Sequence, residues 1–156
     1  MKLYIKSAEG LDSKQQAKIA RTTTDPEELA QLVDEIDLDI RLGIAKNPNA
    51  PAEILAQLAN DPRADVCYWV ARNPNTPAEA LKYMANDVDK DVRWAVVHNQ
   101  NTPAEVLAKL ANDADVWVRV GVVEHPNTPM EVLDRLANDS AYTVSRVENP
   151  RYNTRR

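Results

Sequence analysis

Apolar residues recur along the chain in short clusters at helical spacing. In each cluster they occupy positions i, i+3 and i+4, which lie on one face of a helix. The four clearest clusters are Leu55, Leu58, Ala59; Leu81, Met84, Ala85; Leu107, Leu110, Ala111; and Leu133, Leu136, Ala137. An Asn-Asp pair follows each cluster, and such side chains favour turns over helix interiors. The pattern predicts a series of amphipathic helices that end at Asn-Asp.

A shorter run of mostly β-branched residues follows each of these helices. The runs are Ile40 to Ala45, Val66 to Ala71, Val92 to Val97 and Val118 to Val123. β-Branched residues also suit strands, but the apolar positions again match the i, i+3, i+4 template. We interpret each run as a second, short helix, either α or 3₁₀. It ends at Asn-Pro or His-Pro, because the residue before proline is disfavoured in the helical region.

The two helical signals repeat with a period of 26 residues. Asn-Pro-Asn-Thr-Pro-Ala-Glu at 73–79 recurs in related form at 99–105, 125–131 and 47–53, with a degenerate copy around Thr24. The resulting blocks are 21–46, 47–72, 73–98, 99–124 and 125–150. A pair of helices this short cannot bury its apolar faces alone, so the blocks must stack as a solenoid and its ends must be capped.

Helix boundaries and terminal caps can also be predicted. Thr76, Pro77 and Glu79 form the pattern of a capping box, with threonine at the N-cap, and the pattern recurs from Thr102 and Thr128. Residues 1–20 are expected to form an N-terminal cap whose helix is opened by Ser13 with Gln16. Residues 151–156 are a polar C-terminal tail, and the whole chain is expected to be one domain.

The repeated pattern resembles the variant leucine-rich repeat family. The resemblance rests on Asn-Pro-Asn-Thr-Pro-x-Glu-x-Leu-x-x-Leu-Ala-Asn-Asp followed by Val-Arg-x-x-Val-Val, as in 73–97, and it covers 21–150. It implies an all-α, right-handed α-solenoid, and the Val-Arg-x-x-Val element is also similar to HEAT-like repeats. The resemblance brings no catalytic motif and favours binding. An iron–sulfur module associated with this family would need several cysteine ligands, and Cys67 alone does not supply them.

Composition narrows the possible functions. The chain has 156 residues, with 19 basic and 24 acidic side chains and a net charge of −5. This balance disfavours a surface that follows nucleic-acid phosphates throughout, although residues 1–21 and 140–156 are basic ends on an acidic body. One cysteine fits a reducing, cytoplasmic setting, and we expect neither a signal peptide nor a membrane span.

Columns of polar residues recur in phase with the repeats. The asparagine columns are Asn47, Asn73, Asn99; Asn49, Asn75, Asn101, Asn127; and Asn60, Asn86, Asn112, Asn138. Their amides can satisfy backbone groups at helix ends, which indicates a structural role, and His125 takes a turn position in the first column. Arg41, Arg93 and Arg119 form a further column. We expect it to pair with Asp39, Asp65 or Asp91, or else to bind anions.

Residues that break the repeat are candidates for partner contacts. Trp117 replaces aspartate at a helix start, and Tyr83 replaces Gln57, Lys109 and Arg135. Tyr68 and Trp94 share a column with Leu42 and Val120. Aromatic side chains are enriched at interface hot spots, with core packing as the alternative. Trp69, which lies in a column of small residues, is expected to fill holes in the neighbouring blocks.

Catalytic chemistry has little support in the sequence. Cys67 with His98 could form a nucleophile and base, and Asp87, Asp89 and Asp91 could gather a cation, but no motif supports either set. We therefore predict no enzyme activity, no cofactor and no metal. The leading hypothesis is a scaffold that binds a protein of unknown identity. The alternative is a nucleic-acid-binding module that uses Arg93, Arg119 and the basic tail. Oligomeric state stays open.

Overall fold

The computed structural model describes residues 10–34 and 37–137, and this part of the chain is entirely helical. Its helices are α1 (Ser13–Thr22), α2 (Pro26–Leu32), α3 (Leu38–Lys46), α4 (Ala52–Leu58), α5 (Ala64–Arg72), α6 (Ala78–Met84), α7 (Lys90–Val97), α8 (Ala104–Leu110), α9 (Val116–Glu124) and α10 (Met130–Leu136). The all-α prediction is confirmed for the described residues, and the second element of each of the first four blocks is an α-helix rather than a 3₁₀ helix.

The helices form two layers. Helices α3, α5, α7 and α9, the second helices of their blocks, pack side by side in chain order. Helix α1 packs on α3 in the same way and so caps this second-helix layer. Helices α2, α4, α6, α8 and α10 are the first helices of the blocks and form the first-helix layer. Each unit contacts the next along one axis, and the predicted α-solenoid is confirmed.

The predicted apolar columns form the core between the layers. The recurring leucine of the first helices is at most 2% exposed in every block; the residues are Leu29, Leu55, Leu81, Leu107 and Leu133. Val66, Val92 and Val118 of the second helices are fully buried opposite them. Complete burial of such a side chain contributes roughly 1.5–3 kcal/mol. The stack is therefore held by one continuous core that crosses every repeat boundary.

The capping boxes predicted at the threonines are wrong. Pro103 stands at the N-cap of α8 without a side-chain cap, and the buried Thr102 hydroxyl donates to the carbonyl oxygen of Val96 at 2.6 Å. Thr76 and Thr128 bond backwards in the same way. The hydroxyl thus satisfies a buried carbonyl at the end of the preceding helix, where no water can reach it.

Aspartates begin most helices of the second-helix layer. Asp37, Asp89 and Asp115 accept from the amides two residues later, as N-caps of α3, α7 and α9. At α1 the cap is Asp12, in a capping box with Gln15, so the prediction of Ser13 with Gln16 is off by one residue. These caps fix where each second helix starts.

Some sequence predictions lie outside the described residues. They are the alternating Leu3 and Ile5 segment, the last Asn-Asp pair at 138 and 139, the second half of the last block and the basic tail 151–156. The division into caps and five blocks stays a prediction where it depends on them.

Candidate interaction surface

Asparagine side chains connect successive repeats through buried hydrogen bonds. Asn99 donates its amide to the carbonyl oxygens of Ala71 at 2.7 Å and Asn73 at 2.9 Å, and its Oδ1 accepts from the backbone of Asn101. Asn73 and Asn47 make equivalent bonds one and two repeats earlier. We call this column the asparagine ladder. Its structural role is confirmed, because these amides use their hydrogen-bonding groups within the fold.

His125 continues the asparagine ladder in the last described block. Its Nε2 lies 3.0 Å from the carbonyl oxygen of Asn99, and its Nδ1 accepts from the backbone of Asn127 at 3.1 Å. Since a carbonyl only accepts, the proton is on Nε2. The side chain is buried, which agrees with its interpretation as a turn residue.

The arginine column is used inside the stack. Arg93 donates to both carboxylate oxygens of Asp113 at 2.7 and 2.9 Å, and Arg41 donates to Asp61 at 2.6 Å. The partners are therefore the turn aspartates of the next block, and the predicted pairing with Asp39, Asp65 or Asp91 is wrong. Arg119 donates to the carbonyl oxygen of Asp113 at 2.8 Å.

Asp113 shows the electrostatic effect of this pairing. Burial raises the pKa of Asp113, but hydrogen bonds from Arg93 and the backbone of Asp115 outweigh burial, so the pKa lies below its usual value. The ion pair joins two consecutive blocks and is largely screened from solvent. The arginine column thus stabilises the stack at the turns between first and second helices.

Cys67 takes an arginine position in this column. Its thiol is 2% exposed and lies 3.3 Å from the carbonyl oxygen of Asp61. Burial, with the charges of Asp87 and Asp61, raises the pKa of the thiol to about 11. A nucleophilic cysteine needs a low pKa and access to substrate, so Cys67 does not have the environment of a catalytic thiol.

Aromatic side chains gather on the outer side of the second-helix layer. Tyr68 of α5 and Trp94 of α7 are half-buried, with ring planes within 5° of parallel and centroids 6.5 Å apart. His98 stacks on Trp94 with ring centroids 3.8 Å apart, and its Nδ1–H donates to the carbonyl oxygen of Trp94. His98 is a packing partner of the indole, well placed to hold the ring in one orientation.

Trp69 does not fill holes in the neighbouring blocks as predicted. It is 38% exposed, its ring meets Tyr68 edge to face at 5.4 Å, and the ammonium of Lys46 lies 4.5 Å from its centroid. The small residues of that column serve close helix approach instead. A Cβ on Gly43 would come within 2.8 Å of the carbonyl oxygen of Ala17 on α1.

A groove of about 400 Å³ runs between α5 and α7 beside these rings. We call it the acidic–aromatic groove, and its lining is Ala64, Asp65, Tyr68, Asp89, Asp91, Val92 and Trp94. Asp65 and Tyr68 are three residues apart on α5, as are Asp91 and Trp94 on α7, so each pair shares a helix face. This spacing is visible in the sequence, but the sequence does not show that α5 and α7 bring both pairs to one groove.

The two remaining aromatic candidates lie apart. Trp117 is 64% exposed near the start of α9, in the column of Asp65 and Asp91. Tyr83 is 56% exposed on α6 in the first-helix layer, and its hydroxyl donates to Oδ1 of Asn60 at 2.5 Å. Trp117 therefore extends the side of the molecule that carries the groove, whereas Tyr83 belongs to the other layer.

Helix pairs stacked by buried polar ladders define an all-helical repeat protein of the α-solenoid class. Residues 38–63 and 116–141 match the family model of the leucine rich repeat variant, which confirms the resemblance at two repeats. No curated protein and no solved structure gives a significant match to this chain. The identified class is a helical repeat scaffold.

None of the helices at 10–34 and 37–137 is both long and apolar enough to cross a membrane. Within the same residues, no group of three or more His, Cys, Asp or Glu side chains is arranged to hold a metal ion.

Proposed function

We propose that this protein is a non-enzymatic scaffold that binds another protein through the acidic–aromatic groove and Trp117. The observation that carries the proposal is that the second-helix layer bears the exposed indole of Trp117 on α9 and the half-buried, nearly parallel rings of Tyr68 on α5 and Trp94 on α7. Aromatic groups with adjacent polar atoms are typical of interface hot spots.

The hydrogen bonds of the arginine column argue against an external anion as the ligand. The guanidinium groups of Arg93 and Arg119 bind carboxylate and carbonyl oxygens within the stack, so they are not presented to an external ligand as a row. No specific observation in the described residues favours the nucleic-acid alternative. The groove itself carries carboxylates, which repel phosphates.

The test is capture of partners from lysate by immobilised protein at two salt concentrations. The variants are Trp117→Ala and Tyr68→Ala, with Tyr83→Ala as the matched control from the first-helix layer. We expect the first two to weaken retention of a specific protein about tenfold or more, as a lost hot spot does. Circular dichroism melts show whether each variant keeps the fold.

Three results would contradict the proposal. They are retention of the same partner by both groove variants, retention lost only with Tyr83→Ala, and recovery of nucleic acid that washes off at high salt. The last result would support the nucleic-acid alternative, because phosphate binding falls steeply with salt.

A further inference from the structure

We infer that the acidic–aromatic groove binds an arginine or lysine side chain of an extended basic segment in the partner protein. This inference rests on the proposed function and adds the chemistry of the bound segment. It combines three observations: half-exposed aromatic side chains, surrounding carboxylates, and cations of the chain that already contact the same aromatic cluster.

The aromatic side chains of the groove are partly accessible. Offset-stacked rings have centroids roughly 4.5–7 Å apart, and those of Tyr68 and Trp94 are 6.5 Å apart with nearly parallel planes. The two rings therefore do not cover each other fully. Both remain half-buried, with ring surface directed to the groove.

The carboxylates make the groove negatively charged. Asp65, Asp89 and Asp91 line it, and no cationic residue is part of the lining. Arg63 pairs with Asp65 at 3.0 Å, and Lys90 lies 3.7 Å from Asp115, both at the margin and both exposed. The lining thus carries three carboxylates against two marginal cations that are each paired with a carboxylate, which favours a cationic ligand.

The protein already binds its own cations on these rings. Lys46 lies over Trp69 at 4.5 Å, and the guanidinium of Arg72 lies 5.9 Å from the Trp94 centroid. Each contact is a cation above the face of an indole, within the range where the attraction is significant. An incoming arginine would repeat this interaction on the acidic side of the same cluster.

The repeat geometry predicts the spacing of the cations. Packed helices are about 8–10 Å apart, and in an extended segment of the polyproline II type residues three apart lie on the same side, about 9 Å from each other. An extended segment that crosses the second-helix layer would bring one cation to the groove. The residue three positions further along the segment would reach Asp91 and Trp117, where α7 meets α9. The bound segment is therefore basic, with cations about three residues apart.

The probe is a synthetic nonapeptide, acetyl-Gly-Arg-Gly-Gly-Arg-Gly-Gly-Arg-Gly-amide, titrated into the full chain at physiological salt. The indole N–H signals of Trp69, Trp94 and Trp117 report the site by NMR. We expect the largest shifts at Trp94 and Trp117. The same peptide with citrulline in place of arginine keeps the shape and removes the charge, and we expect it to bind roughly tenfold more weakly.

Two matched pairs of variants distinguish binding at the groove from a general effect of the protein's negative charge. Asp65→Asn with Asp91→Asn removes two groove carboxylates at the second position of α5 and α7. Glu79→Gln with Glu105→Gln removes two at the same position of α6 and α8, in the other layer. We expect about fivefold weaker peptide binding for the first pair and less than twofold for the second.

Equal binding of the citrulline peptide, equal effects of the two variant pairs, or no shift at Trp94 would each overturn the inference. The proposed function can survive that failure. If Trp117→Ala and Tyr68→Ala still abolish capture of a protein that the arginine peptide does not displace, the groove binds a partner of other chemistry. If capture is also unaffected, both fail.

Discussion

At the residue scale, substitutions within a column show what each position requires. Asn47, Asn73 and Asn99 use an amide with two N–H donors and one acceptor, and His125 uses an imidazole with one donor and one acceptor. The shared requirement is an acceptor for the amide two residues later and a donor for the preceding repeat.

His125→Asn should therefore be tolerated. The amide supplies both hydrogen bonds of the imidazole and a second donor, so the free energy of unfolding should stay within about 1 kcal/mol of wild type or rise. His125→Ala removes both bonds from a buried site and should cost about 1–3 kcal/mol. Urea unfolding of the two variants measures the difference, and an asparagine variant as unstable as the alanine variant would contradict the prediction.

Cys67 should react slowly while the chain is folded. With its pKa at about 11 rather than 9, its thiolate fraction at pH 8 is about a hundredfold lower, and burial adds a steric barrier. Labelling by a disulfide reagent should be at least about 100-fold faster in denaturant than in buffer.

A control shows that the reagent itself is not limiting. Ala78 is exposed on α6, so Cys67→Ala with Ala78→Cys should label rapidly in buffer. Rapid labelling of native Cys67 would contradict both its burial and its raised pKa.

At the element scale, contacts between neighbouring second helices set the limits on side-chain size. A Cβ on Gly43 would meet the backbone of Ala17 at 2.8 Å, whereas one on Gly121 would meet the side chains of Val97 and His98 at 2.8 and 2.9 Å. Backbone is much harder to displace than the end of a side chain.

Gly43→Ala should thus destabilise more than Gly121→Ala, although both gain up to about 1 kcal/mol of helix propensity. Gly121→Ala should also shift the Trp94 indole signal, because His98 stacks on that ring. Thermal unfolding and NMR test the two statements. Equal melting temperatures, or an unchanged Trp94 signal, would contradict them.

The Arg93–Asp113 pair should make stability depend on pH in acid. The folded pKa of Asp113 lies below the unfolded value of about 3.9. The carboxylate therefore contributes stability above about pH 4, and this contribution is lost as pH falls through the folded pKa.

Asp113→Asn should be less stable than wild type at pH 7, and its stability should fall less steeply between about pH 4 and pH 2. Denaturant unfolding at a series of pH values measures both effects. Glu105→Gln, which removes an exposed carboxylate from α8, is the control and should keep the wild-type slope. An unchanged slope in Asp113→Asn would show that the pair does not couple to folding.

Sequence periodicity is informative at this scale and fails at particular residues for physical reasons. Leu81 and Val92 could be assigned to the core because burial follows helical spacing. The role of Thr102 could not be predicted correctly from the sequence. A threonine that caps the following helix and a threonine that bonds back to Val96 would stand at the same sequence position. The choice depends on which backbone group is buried, and that is a tertiary property.

The site was predictable in its rings and not in its carboxylates. Tyr68, Trp94 and Trp117 break the repeat, so they could be selected from the sequence. Asp65 and Asp91 repeat in phase, and a repeated residue is first interpreted as structural. Only the packing of α5 against α7 brings the two carboxylate–ring pairs together in one groove.

At the scale of the whole molecule, stability is distributed over the boundaries between repeats. Each boundary combines buried leucine contacts, the asparagine ladder and, at two described turns, an arginine–aspartate pair. Repeat stacks with strong boundaries unfold together, and weakening one boundary uncouples the parts on either side.

Asn99→Ala with Asn101→Ala should uncouple the stack between its third and fourth blocks. The lost bonds join these residues to Ala71, Asn73 and Pro74. We expect amides after residue 99 to exchange with solvent faster than those of α5, by at least about tenfold relative to wild type. Hydrogen-exchange mass spectrometry measures this difference.

Asn112→Ala is the control, because that amide bonds only weakly, at 3.5 Å, to the carbonyl oxygen of Ala108 in the helix just before it. It should leave the two halves coupled. Uniformly faster exchange along the chain of the Asn99, Asn101 variant would show that this boundary is not a point of separation.

Every amide of the asparagine ladder donates to carbonyl oxygens about 26 residues earlier, and none donates to a later repeat. The stack is therefore directional, because each repeat donates these hydrogen bonds to the repeat that precedes it. A gene duplication that inserts a whole block would keep these hydrogen bonds in register, because the new block supplies both the donor and the acceptors of the ladder. Gain or loss of whole blocks would therefore lengthen or shorten the binding surface in steps of one block.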